Sequence, residues 1–210
     1  MKELCLALCL VLALASLSSA DGFDDAAAAF AARDYVKAIE LLRPLIAKGD
    51  ARGQYSMGVL CENGFGLPKD LPAAAAWYRK AADQGNTDAQ FNLGAMYEHG
   101  VGMPVDYAEA VRLYRPAALA GDIDALSNLG VLYQKGQGVK QDKVLAMALY
   151  NVSVAYAGQG RATKATQNRQ GLVNELTLED VKKSLALTEE LLKPGNLEPA
   201  LEAHLGRQAH

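Results

Sequence analysis

The sequence predicts an all-helical fold, a solenoid of antiparallel helix pairs, and three observations carry that prediction. Ala far outnumbers Val and Ile, and no stretch alternates apolar with polar residues, which favours helices over strands. Features recur every 36 residues: Asp34, Asp70, Asp106 and Asp142 fall in register, as do Gly49, Gly85 and Gly121, and Gly58, Gly94 and Gly130. Each period also carries a glycine pair, Gly64/Gly66, Gly100/Gly102 or Gly136/Gly138, placed to end one helix before the aspartate starts the next.

Residues 1–20 stand apart. Lys2 is followed by an apolar run from Leu4 to Leu17 and then Ser18-Ser19-Ala20, the pattern of a cleaved secretory signal. The run is shorter than the ~20 apolar residues that span a bilayer. The mature chain is therefore expected to be periplasmic or secreted, with no membrane insertion after cleavage.

Residues 21–158 read as the solenoid, in units of about 22–49, 50–85, 86–121 and 122–158. The first unit has a degenerate first helix, Phe23 to Ala32, and a second over Tyr35–Lys48. The third unit shows the pattern most clearly. Ala89, Leu93 and Tyr97 recur at i, i+4, i+8 along a helix A that stops at Gly100, and Pro104 blocks its continuation. Asp106 is placed as N-cap with Glu109 three residues on, the spacing of a capping box, and Ala110, Leu113, Tyr114, Ala117 and Ala118 form the buried stripe of a helix B. Pro44 and Pro116 share a register inside helix B of alternate units, where each removes a backbone donor and bends its helix. The last helix B runs over Lys143–Ala157. Residues 159–193 are expected to add two capping helices, about Thr163–Asn174 and Leu178–Lys193, the second capped by Thr177 with Asp180 at N3. Residues 194–210, with Pro and Gly at their start, read as a flexible tail.

Composition excludes several functions. With 21 basic against 24 acidic residues the net charge is −3, so there is no electrostatic case for nucleic acid. Cys5 and Cys9 lie in the signal, which leaves Cys61 as the single thiol of the mature chain and allows no internal disulfide. Cys61 occupies the register of Tyr97 and Tyr133 and reads as a buried apolar filler rather than a reactive thiol. No His-Glu-x-x-His and no nucleophile motif occurs, and His99, His204 and His210 are scattered, so neither catalytic nor metal residues nor a cofactor are expected. The loop Gly64-Phe65-Gly66 follows no strand and precedes no Gly-Lys-Ser/Thr, so it reads as a helix-ending turn, not a phosphate cradle.

The segment Ala89-Gln90-Phe91-Asn92-Leu93-Gly94-Ala95-Met96-Tyr97, then Gly100, Gly102 and Asp106, then Ala110, Tyr114, Ala117-Ala118 and Gly121, resembles the Sel-1-like repeat family, relatives of tetratricopeptide repeats. Asp70 to Gly85 carries the second half of the same signature with Trp77-Tyr78. The resemblance covers residues 23–158 and implies a right-handed superhelix that scaffolds or recruits other proteins, several bacterial members being exported. A cysteine-rich exported branch, some of it linked to penicillin binding, carries a disulfide in each repeat, and this chain departs from it.

The candidate binding face is the side of helix A turned away from the core. Arg52, Ser56, Val59 and Asn63 in one unit, Asp88, Asn92, Ala95 and His99 in the next, and Asp124, Asn128, Val131 and Lys135 in the third share one helical stripe, with Tyr55 and Phe91 beside it. Ser56, Asn92 and Asn128 are expected either to hydrogen-bond a ligand backbone or to brace the neighbouring helix. The resulting expectation is a monomeric protein-protein interaction scaffold of the envelope or secretory compartment, binding a peptide segment or protein on its concave face. Two rivals are a cell-wall or β-lactam-directed enzyme, by analogy with the cysteine-rich branch, and a solenoid that serves self-assembly.

Overall fold

The computed structural model describes residues 22–158 and 164–207. The proposed signal, residues 1–20, lies outside them. Eleven α-helices and no strand are present among the described residues: α1 (Phe23–Ala31), α2 (Tyr35–Ala47), α3 (Ala51–Asn63), α4 (Leu71–Ala82), α5 (Thr87–His99), α6 (Tyr107–Leu119), α7 (Ile123–Lys135), α8 (Lys143–Ala157), α9 (Lys164–Val173), α10 (Leu178–Leu192) and α11 (Leu197–Arg207). They fall into two compact units, α1–α4 and α5–α11. The repeat helices pack as consecutive pairs, α1 with α2 and α3 with α4 in the first unit, α5 with α6 and α7 with α8 in the second, while α9 and α10 both pack on α8, so the all-α solenoid class holds.

Aspartates start these helices. Asp34, Asp70, Asp106 and Asp142 each accept a hydrogen bond from the backbone N–H three residues on, at 2.9–3.2 Å, which satisfies one of the donors a helix start leaves unpaired. Asp50 and Asp122 do the same for α3 and α7, a second set of caps one residue after the in-register glycines. The Glu109 half of the expected capping box does not form. The Asp106 N–H is donated instead to the Tyr97 carbonyl at 3.0 Å, and the Glu109 carboxylate pairs with Arg112. Asp70 and Asp142 close their loops identically, onto the carbonyls of Cys61 and Tyr133. A helix A residue is thereby tied to the start of helix B in three units.

The in-register glycines have two separate causes. Gly58, Gly94 and Gly130 lie under the rings of Tyr78, Tyr114 and Tyr150, and a Cβ on them would stand 2.6, 3.0 and 2.6 Å from the nearest ring carbon. Each of these tyrosines is fully buried and donates its hydroxyl back to the end of helix A: Tyr78 to Glu62 (2.6 Å), Tyr114 to Glu98 (2.7 Å), Tyr150 to Gln134 (2.8 Å). The second loop glycine serves another need. Gly138 has φ +72°, and a side chain there would enter the Tyr107–Ala108 peptide. In the first unit Phe65, between its two glycines, stacks on Tyr35 at 4.5 Å between centroids, so this loop plugs the core beside α1 and α2.

The C-terminal helices extend the core of residues 87–207. Ala165 and Leu172 of α9, Leu187 and Leu191 of α10, and Ala200 and Leu201 of α11 are buried in the same cluster as Leu126, Leu129 and Tyr150. Thr177 and Asp180 form the reciprocal capping box expected for α10. The expected flexible tail is corrected: Leu197–Arg207 is a helix, because Ala200 and Leu201 find an apolar seat and His204 a polar partner. Residues 208–210 and the linker 159–163 lie outside the described residues.

Candidate functional site

In the first unit, Tyr55, Ser56 and Val59 of α3 face Phe23, Ala26 and Phe30 of α1 across an open groove of about 260 Å³ floored by Leu42. The Ser56 hydroxyl is a polar group in an otherwise apolar wall. Arg52 stands at the end of this groove, its guanidinium 4.8 Å from the Phe23 ring centroid and paired with Asp50 (Nη2–Oδ2 2.8 Å). That pairing holds the Asp50 carboxyl below its ordinary range. Asn63 donates to the Val59 carbonyl at 2.9 Å, within its own helix. Phe23 and Phe30 were not anticipated, since the degenerate first helix carries no polar register to mark a face. Their signal in the sequence is the seven-residue spacing of two aromatics on one helix side.

In the second unit the stripe divides. Asp88 and His99 are exposed and Asn92 is half-buried, while Phe91 leans inward on Tyr114 at 5.7 Å between centroids. Asp124 and Lys135 are exposed at the two ends of α7. Asn128, however, is 7 % exposed, and its Oδ1 accepts a hydrogen bond from Lys164 Nζ at 3.1 Å. Its amide also hydrogen-bonds the Tyr114 hydroxyl, whose ionisation is pushed far up by burial and by Glu98. Asn168, one turn after Lys164, reaches the buried Ser127 hydroxyl at 3.5 Å. Helix α9 thus lies across the Ser127 and Asn128 side of α7, and Asn128 is a brace between them. His99, Val131 and Lys135 line a neighbouring groove of about 450 Å³ whose other wall is Lys164 and Asn168 of α9 and Glu175 of the turn after it.

Other groups proved structural. Cys61 is buried, and burial followed by the nearby Asp70 charge pushes its thiol upward, away from the nucleophilic thiolate. His204, read from sequence as a tail residue, sits with Nε2 2.7 Å from Asp142 Oδ2, the two side chains only 15 % and 5 % exposed. Asp142 therefore caps α8 with one oxygen and holds α11 with the other. No cluster of three potential metal-ligating His, Cys, Asp or Glu residues occurs among the described residues, and no helix there is long and apolar enough to cross a membrane.

Comparison with known proteins places this architecture. The model of the Sel1 repeat matches residues 29–50, 51–86, 87–122 and 123–153, boundaries that begin each full unit at an A helix. Among solved structures, a Sel1 repeat protein from Oxalobacter formigenes is 33% identical with a TM-score of 0.61, over 66% of this chain and 55% of that one. The protein c5321, a protective antigen present in uropathogenic Escherichia coli strains and displaying an SLR fold, is 25% identical with a TM-score of 0.55, over 81% of this chain and 44% of that one. This chain thus spans about half the length of both. No curated protein matches it in sequence. Four consecutive family matches, each carrying the tyrosine-on-glycine packing or the aspartate cap described above, lead to one conclusion: the chain belongs to the Sel1 repeat family.

Proposed function

We propose that this protein is an interaction scaffold of the cell envelope or secretory compartment, which holds a peptide segment or protein against the inner side of its A helices. Sel1 repeats generally act as scaffolds for protein-protein interaction. The observation that carries the reading here is the groove of Phe23, Phe30, Tyr55, Ser56 and Val59: an open, mostly apolar slot with a hydroxyl in its wall suits apolar side chains projecting from a backbone that needs a polar partner. On α5, taken by itself, Asp88 is exposed and Asn92 half-buried, a polar stretch of its own. In the fourth unit α9 already covers the Asn128 register, so the ligand-holding registers are those of Ser56 and Asn92. The first twenty residues support the location through Lys2, the apolar run and Ser18-Ser19-Ala20. The enzyme reading gains nothing from the matched proteins.

A photo-crosslinking residue at Ser56 or Asn92 tests the proposal in the producing cell, with the same residue at Arg79 on a B helix as the comparison. Adducts of one defined protein from the first two sites and not from the third support it. Equal labelling at all three sites would remove the case for an inner binding face, and an intact Met1 on the envelope protein would remove the case for export.

A further inference from the structure

We propose that α10 pairs with α10 of a second copy of this chain, antiparallel, through a stripe of three leucines. Leu178, Leu185 and Leu192 follow one another at seven-residue intervals and are 72%, 51% and 38% exposed, although Leu is among the residues most often buried. They do not belong to the face that packs on the array, which is Ser184, Leu187, Thr188 and Leu191. The stripe runs the whole length of the helix, 15 residues or about 22 Å. Each of the three leucines is one turn or more from the next, so the line gains meaning only from the charges beside it.

Charge identifies the occupant. Lys182 and Glu189, both exposed, flank the leucines on one side. About a twofold axis passing Leu185, an antiparallel partner sets Leu178 against Leu192 of the second copy, Leu185 against its own counterpart, and Lys182 beside Glu189 of the second copy, twice over. A parallel pairing has no such match, because its twofold axis runs along the helices and sets the Lys182 and Glu189 flank of one copy against the opposite flank of the other, where Ser184 and Leu191 are buried. Antiparallel helices also set opposite ends of their dipoles together. The same helix is thus complementary to itself in one orientation. This inference is independent of the proposed ligand face, which lies on α1, α3 and α5, and it favours a dimer over the monomer expected from the sequence.

The test is the mass of the purified full chain by sedimentation equilibrium across a dilution series, for the wild type, Leu185→Glu, Lys182→Glu, Glu189→Lys and the double Lys182→Glu/Glu189→Lys. All three positions are exposed, and circular dichroism checks that the variants remain folded. Expected are a concentration-dependent dimer, its loss in Leu185→Glu, weakening of roughly tenfold in each single charge reversal because the axis counts every pair twice, and restored affinity in the double variant. A wild type that stays monomeric at the highest soluble concentration overturns the proposal. So does a dimer untouched by Leu185→Glu, or a double variant no tighter than the singles. Loss of dimerisation with partner crosslinking at Ser56 unchanged would leave the scaffold reading intact, so the two claims fail separately.

Discussion

Adding one methyl group at Gly130 sets a gain in helix propensity against a steric loss, and the structure supplies the sizes of both. Gly→Ala inside a helix is favourable by about 1 kcal/mol when nothing else changes. At Gly130 the new Cβ would stand 2.6 Å from Tyr150 Cε1 and 2.9 Å from Cδ1, against the ~3.5–4.0 Å of an ordinary carbon contact. The ring must retreat by roughly 1 Å, yet Tyr150 is wholly buried and its hydroxyl is held by Gln134 at 2.8 Å. Overpacking of this kind costs about 1–3 kcal/mol, and breaking the hydroxyl contact adds about 1. The net expectation for Gly130→Ala is a loss of about 1–3 kcal/mol. Gly171 is the internal control: it lies in α9, and a Cβ there meets nothing within 4 Å, so Gly171→Ala should gain up to about 1 kcal/mol. With a shift of about 2–4 °C per kcal/mol in a chain of this size, the two variants should melt on the order of 5–10 °C apart by far-UV circular dichroism. A Gly130→Ala protein that melts at or above the wild type would refute the idea that the repeat's glycine exists to seat the tyrosine.

Three further expectations follow from individual contacts. Asn128→Ala should lower the melting temperature, since it strips a buried polar partner from Lys164 at about 1–3 kcal/mol, whereas Asn92→Ala should leave melting unchanged and weaken ligand capture about fivefold; the reverse assignment would place the binding register on α7. His204→Ala should loosen α11 by removing one partner of the buried Asp142 carboxylate, and hydrogen exchange over residues 197–207 should accelerate while that of α5 does not; unchanged protection would show that Ala200 and Leu201 alone hold the helix. The Asp50 carboxyl is held low by Arg52, so its contribution to stability is complete above the ordinary value of 3.8 and fades as pH falls through the depressed one; Asp50→Asn should therefore flatten the acid limb of a stability–pH curve below about 4, and an identical limb would deny Asp50 that role.

Much of this molecule is readable from a single line of residues because a repeat confines its interactions to the chain nearby. Asp106 can be read as a cap since the donor it satisfies is three residues away, and Gly100 as a stop since its positive φ is a local requirement. Gly94 and Tyr114 recur together for the same reason: ring and glycine meet within one helix pair, so the contact repeats whenever the period does. Even Cys61 was legible, through the packing register it shares with Tyr97 and Tyr133.

The parts decided only by tertiary structure are those outside the repeat's periodicity. Nothing in the stripe of Asp124, Asn128 and Lys135 signals that α9 lies over it, because Lys164 and Asn168 belong to a helix with no counterpart elsewhere in the chain. The sequence predicts a capping helix over about Thr163–Asn174, but not the surface on which its polar side chains find acceptors. The same holds for α11, which carries only two buried apolar residues and appears as a tail in sequence, yet is fixed by Asp142 and by Arg115 with Glu202. Composition and period determine which helices form and which side of each is apolar. Which polar side of a helix stays open to a partner is decided by what else in the fold comes to rest on it, and that is a sum of small long-range contacts that no local pattern encodes.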